Sequence, residues 1–290
     1  MTAQILRGAP IVARLREEVR ASAALLRRDA GREPTLATLL VGRHPAAEAY
    51  RRAIERSTVS VGIAHRPVAL PADASAEVLV DTIEQLGLDP GVHGVLVLMP
   101  LPDHLPASLV QEHLAPLKDV DGITPTNAGR LHLGLPSLRP STPQGGIDIL
   151  DFYGIELRGR DVVVIGRSNV VGRPLATMLS LRDATVTLCH RQTRDLPRLT
   201  RAADIVAVAA GDPGLVAGEM VRAGAVVIDF GVNVVDGKIV GDADAASVAP
   251  RAAAYTPVPG GTGPVTNLVL VRNTIAAGLA ALEGTLDRLP

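Results

Sequence analysis

DVVVIGRSNVVGRP, residues 161–174, sets four β-branched residues in a row against a glycine and then a segment with helical spacing. Such a β-branched run favours a buried strand. A strand that turns at glycine into a helix aims the helix's first backbone N–H groups beyond the turn, which suits a pyrophosphate. Gly166 supplies the tight turn. Ser168 stands where the usual dinucleotide fingerprint has its second glycine, and Gly172 falls one place late. Read alone, the segment also fits a structural strand-to-helix turn without a ligand.

Outward from this turn, short Val/Ile/Leu-rich runs alternate with longer amphipathic stretches, the pattern of parallel strands joined by crossover helices. Downstream the runs are ATVTLC (184–189), DIVAVAA (204–210) and AVVIDFG (225–231). Upstream the spacing predicts helices near 10–29, 46–60, 75–87 and 106–115, with strands near 36–42, 64–69 and 93–98. Residues 100–145 are dense in Pro, Gly and Asp and read as site-bearing loop plus interdomain connection. Residues 265–283 read as one apolar-striped helix that could return to the first domain. The fold class expected is α/β, with two doubly wound domains, the C-terminal one Rossmann-like.

The end of the strand after the turn bears on the cofactor. An NAD site usually carries an acidic residue there for the ribose 2′-OH, whereas this strand ends in His190 and Arg191. Arg191, helped by Arg167 and Ser168, can hold a 2′-phosphate through charge-assisted bonds, so NADP is the expected cofactor. The alternative is that both arginines are solvated loop residues.

The chain has 290 residues and a net charge of -1, and of its 29 basic residues only Lys118 and Lys238 are lysine. This leaves no electrostatic footprint for nucleic acid or an anionic membrane and favours a small-molecule partner. The single Cys189 excludes an internal disulfide framework. No signal-like leader and no uninterrupted apolar run of about 18 residues is apparent, so a cytoplasmic location is expected. The His residues are scattered, and no metal site is expected.

Six segments occur in order along the chain: VGRHPAAEAY (41–50), PLPDHL (100–105), KDVDGITPTNAGRL (118–131), STPQG (141–145), GRSNVVGRP (166–174) and TPVPGGTGPVT (256–266). Together they resemble the methylenetetrahydrofolate dehydrogenase/methenyltetrahydrofolate cyclohydrolase family. The resemblance implies a folate-binding catalytic domain from residues 1–140 plus 266–290, an NADP-binding domain from 141–265, a folate cleft between them and a homodimer. It places Tyr50 over the pterin-bearing substrate, Asp121 on the pterin edge, and Pro259, Gly260 and Gly261 beside the cleft. For the cofactor it points to Gly166, Arg167, Ser168, Arg191 and Val232, with Gly172 and His190 in the same two segments.

These roles suit the residue types. A carboxylate accepts two donors from a 2-amino-4-oxo pterin edge as it would from an amidine, and a tyrosine stacks on a heterocycle. Two glycines after PVP allow close backbone approach. Read alone, Asp121 also fits an Asx-type turn, Tyr50 a core aromatic, and the PVPGG loop a plain connector.

The family's pattern has a Lys four residues after the Tyr, a Gln two before the PLP stretch and a Ser three before the Tyr. Here those places hold Ile54, Leu98 and Ala47. Oxidation of a methylene carbon needs alignment more than an acid or base, whereas hydrolysis of the methenyl product is general acid–base work. The expectation is therefore NADP-dependent oxidation of 5,10-methylenetetrahydrofolate, with cyclohydrolase activity weak or lost. Three alternatives remain: an intact bifunctional enzyme, a changed substrate, and a non-catalytic NADP-binding relative.

Overall fold

The computed structural model describes residues 3–290. Strand β1 (Gln4–Ile5) leads into helix α1 (Ala9–Ala30). The chain then alternates through β2 (Thr35–Val41), α2 (Pro45–Ser60), β3 (Ala64–Leu70), α3 (Ala76–Leu88) and β4 (Gly94–Val97). Helices α4 (Ser108–His113), α5 (Pro125–His132) and α6 (Ser141–Phe152) follow. The second half runs β5 (Asp161–Ile165), α7 (Gly172–Ser180), β6 (Thr185–Cys189), α8 (Leu196–Ala202), β7 (Ile205–Val208) and β8 (Val226–Asp229). It ends with β9 (Asn233–Val235), β10 (Lys238–Val240), α9 (Ala245–Val248), β11 (Ala254–Tyr255) and α10 (Thr262–Glu283).

Two compact units result: residues 14–141 with 267–290, and residues 3–13 with 142–266. The chain passes from one to the other within α1 and α10 and at the start of α6. The first residues were expected in the first domain. Instead β1 pairs with β11, Gln4 opposite Ala254, and joins the second sheet. A two-residue strand carries too little periodicity to announce its partner.

In the first unit the sheet is parallel in the order β3-β2-β4. Apolar residues of β2 and β4 face both ways. One set packs on Leu79, Ile83 and Leu86 of α3, and the other on Ile54 of α2 and Leu270 of α10. Helix α2 starts where His44 accepts from Ala47 N, with Pro45 at its first position and Glu48 in its first turn, all favourable to a helix N-terminus.

In the second unit six parallel strands run β1-β11-β8-β7-β5-β6. Strand β5 lies between β6 and β7, and Val162 to Ile165 are all buried, as an interior parallel strand requires. From β5 the chain goes out to β6 and returns to β7 on the opposite side, which places the topological switch point at the carboxyl end of β5.

Helix α10 is, among the described residues, the one helix long and apolar enough to cross a bilayer, with a mean hydropathy of 1.5 over its most apolar window. Asn267, Arg272 and Asn273 interrupt it, so it is not an uninterrupted apolar run. Two thirds of that window is buried within the structure (67%), as for the core helix of a globular protein.

Candidate functional site

The turn after β5 is built by close approach. Gly166 has φ 115°, donates its N–H to Cys189 O at 2.9 Å, and stands where any Cβ would overlap the carbonyl of Ala209 at the end of β7. Gly166 thus lies closely between the ends of the two strands that flank β5. Gly172, at the first position of α7, would with a Cβ overlap the Gly166 carbonyl. Its late position in the motif therefore lets the helix seat directly on the turn. Ser168 Oγ accepts from Val171 N at 3.1 Å, with Gly172 N at the limit of 3.5 Å, so the serine caps the helix in place of the second glycine.

Arg167 and Arg191 are exposed, and neither forms an ion pair with a carboxylate among the described residues. Half-buried His190 accepts from Gln192 N through Nδ1 at 3.2 Å, and its backbone N–H donates to Thr193 Oγ1 at 2.8 Å, which fixes the turn carrying Arg191. A cradle that a Cβ would fill, a capped helix N-terminus and two uncommitted guanidinium groups suit a phosphate-bearing dinucleotide.

Sequence reasoning missed two buried carboxylates beside this turn. Asp242 accepts from the N–H groups of Ala210 (2.6 Å), Gly211 (2.9 Å) and Asp212 (3.1 Å) after β7, and from Asn233 Nδ2 (2.8 Å). Asp229 accepts from the N–H groups of Gly231 (2.7 Å), Asp242 (3.1 Å) and Ala243 (2.9 Å). Burial raises the Asp229 carboxyl above the usual carboxylate range, and these donors partly offset it. The segment between them carries Val232, which is exposed. In the PVPGG loop, Pro259 is exposed, Gly260 has φ 104° and accepts from Gly8 N at 2.9 Å, and Gly261 is buried against the Pro257 carbonyl. That loop is pinned rather than a slack connector.

In the other unit, Ala47, Tyr50 and Ile54 follow one another on one face of α2. Ile54 and Ala47 are 0% and 3% exposed, and Leu98 is 2% exposed. They share one cluster with Leu36, Leu40, Leu96, Val120 and Leu270, and Tyr50 packs on its rim. The three apolar replacements therefore sit inside the hydrophobic core, and they were expected to line a cleft. Burial raises the Tyr50 hydroxyl well above its ordinary value, and the charge of Asp121 adds to this.

Half-buried Asp121 follows Val120 in the same loop and accepts from Ser141 Oγ at 2.7 Å, with Ser141 N at 3.4 Å. Burial pushes its carboxyl up to about 6, the Ser141 bond pulls it down, and the charge of Asp119 pushes it up. Asp119 is fully buried and accepts from Ile123 N (3.0 Å), Thr124 N (2.8 Å), Thr124 Oγ1 (2.7 Å) and Asn127 Nδ2 (2.9 Å). Its anchoring role could have been read only from the paired Asp residues of KDVDG.

The comparisons with known proteins follow this geometry. The profile of the tetrahydrofolate dehydrogenase/cyclohydrolase catalytic domain matches residues 6–121, and that of the same family's NAD(P)-binding domain matches residues 140–281. The chain belongs to the tetrahydrofolate dehydrogenase/cyclohydrolase family. Bifunctional protein FolD of Chloroflexus aurantiacus is 51% identical over 278 residues, 96% of this chain and 98% of that protein. Among solved structures, the bifunctional FolD of Campylobacter jejuni is 40% identical with a TM-score of 0.94, covering 96% of this chain and 99% of that one. The Trypanosoma brucei FolD, solved with NADP and an inhibitor, is 34% identical with a TM-score of 0.93, covering 98% and 100%.

Three predictions follow from these placements. Gly172→Ala, which drives a Cβ into backbone, should cost roughly 2 kcal/mol or more in chemical denaturation and weaken dinucleotide binding by titration. Ile54→Lys puts an ammonium into a dry cluster and should destabilise the fold by roughly 2–4 kcal/mol, read as a lowered denaturation midpoint. Asp121 titrates higher folded than unfolded, so its ionisation opposes folding at pH 7–8, and this penalty fades as the pH falls from about 6 towards 4. Asp121→Asn should accordingly raise the melting temperature at pH 8 and leave it unchanged at pH 4.

Proposed function

We propose that this chain oxidises 5,10-methylenetetrahydrofolate to the 5,10-methenyl form with NADP, and that it also hydrolyses the methenyl product. The observation that carries this reading is the co-occurrence, in one family member, of the pinched turn at Gly166–Gly172 and the Tyr50 and Asp121 pair on the α2 and KDVDG segments. Gly166, Ser168 and Gly172 would hold the pyrophosphate at the start of α7, and Arg191 with Arg167 the 2′-phosphate, His190 shaping the turn that presents Arg191. Bound there, NADP supplies the hydride acceptor. Pro259, Gly260 and Gly261 would bring backbone close to the bound ligands, and Val232 would contact the dinucleotide.

Tyr50 would lie over the pterin, and Asp121 as a carboxylate would accept from its amino edge. Hydride leaves the methylene carbon as the adjacent ring-nitrogen lone pair forms the methenyl cation, a step in which the chain need only align the reactants. Hydrolysis takes a proton from water and returns one to a ring nitrogen. Weak or lost hydrolysis, expected from Ile54, is not supported by the relatives, which are named bifunctional proteins. Ile54, Ala47 and Leu98 are core residues and supply no acid or base, so hydrolysis in this chain is carried by a group other than one at the Lys position of the family pattern.

We further propose a cytoplasmic homodimer. Supporting it, the β9–β10 hairpin leaves the cross-strand pair Val234 and Ile239 exposed on one face, which a second copy would cover.

The test is an assay with methylenetetrahydrofolate that follows NADPH and methenyl product separately. Reduced cofactor should form faster from NADP⁺ than from NAD⁺, and methenyl product should disappear faster than in buffer. Absence of NADPH despite NADP binding would point to a changed substrate or a non-catalytic relative, and decay at the buffer rate would restore the reading of lost hydrolysis.

A further inference from the structure

Asn273 is, with Thr262, Thr266 and Thr274, one of the buried polar residues of α10, and it is 2% exposed. Its Nδ2 donates to Val120 O and to Arg139 O, each at 2.8 Å. The two carbonyls belong to different segments. Val120 immediately precedes Asp121, and Arg139 lies two residues before Ser141, whose hydroxyl reaches Asp121 Oδ1. Gly122, with φ 59°, packs so closely on residues 138–140 that a Cβ would overlap the Leu138 carbonyl.

We propose that Asn273 is a positioning residue for Asp121, its amide clamping the 120–122 and 139–141 segments at the spacing at which the Ser141 hydroxyl engages one carboxylate oxygen and leaves the other for a ligand. This deepens the reading of Asp121 given above and depends on it for its catalytic meaning. A buried amide is costly unless its hydrogens are both used, and packing alone would be served as well by leucine. Here both hydrogens join backbone that flanks a hydrogen-bonded pair of functional side chains.

The groups that act on Asp121 are Asp119, whose charge opposes its ionisation, the Tyr50 hydroxyl, and Ser141, whose hydrogen bond favours the carboxylate. Asp119 is anchored separately by Ile123, Thr124 and Asn127. Loosening the clamp should therefore weaken the Ser141 contribution first and move the Asp121 titration upward.

The experiment is a carboxyl-carbon NMR titration of the ligand-free full chain, with Asp121 assigned by its loss in Asp121→Asn. Ser141→Ala should raise the inflection from near 6 by roughly half a pH unit, and Asn273→Ala should shift it in the same direction. The double variant should lie no higher than Ser141→Ala alone, because both changes remove one hydrogen bond. Asn273→Ser keeps one donor and should fall between wild type and Asn273→Ala; it carries the test if the alanine variant does not fold. An inflection unmoved by either Asn273 variant, or additive shifts in the double variant, overturns the proposal. In the oxidation assay Asn273→Ser should lower turnover on the order of tenfold with the KM for NADP unchanged, and this loss should vanish in an Asp121→Asn background. The titration uses no substrate, so a chain inactive on folates would overturn the proposed reaction and leave the positioning result standing.

Discussion

Loops that leave the carboxyl ends of parallel strands have no ladder to satisfy their backbone donors, and in this protein buried carboxylates take that role. Asp119, which itself bridges to Val95 of β4, collects four donors from the next turn and from α5. Asp229 closes β8, and Asp242 gathers the N–H groups that follow β7. A buried carboxylate without partners would cost several kcal/mol, so each of these loops is held only in the one conformation that supplies its donors. The pinched turn at Gly166 and the placement of Asp121 both depend on loops fixed in this way.

The same constraint separates the two chemistries. Hydride transfer asks for geometry, and rigid loops on a parallel sheet supply geometry. Hydrolysis asks for a group that exchanges protons near neutral pH. Burial raises the Tyr50 hydroxyl out of that range, while the competing effects of burial, Asp119 and Ser141 bring Asp121 into it. The titration of one carboxyl is thus set by neighbours from two segments.

Ile54 shows how the environment of a residue can differ from its position in a motif. Its place on the Tyr50 face of α2 marks it as a site position, yet it is sealed with Leu98, Ala47 and Leu270. Spacing along a helix determines which side chains share a face, and the elements packed on that face determine whether it is wet. Leu270 reaches this cluster from α10, far along the chain, so no local reading of α2 could reveal it.

By itself the sequence determined the parallel α/β class, the glycine turn at Gly166, the basic residues where an NAD site would carry an acid, and most helix and strand runs, but not α5 or the start of α6, which lie in the stretch read as loop and connection. These are local properties, carried by periodicity, β-branching and glycine. Only the tertiary structure decided that β1 joins the second sheet, that Ser168 caps α7, that Ile54 is core, and that Asn273, Ser141 and Asp119 surround Asp121. Each of those depends on hydrogen bonds or packing between segments distant in sequence, and a buried polar group finds its meaning only in the partner that satisfies it.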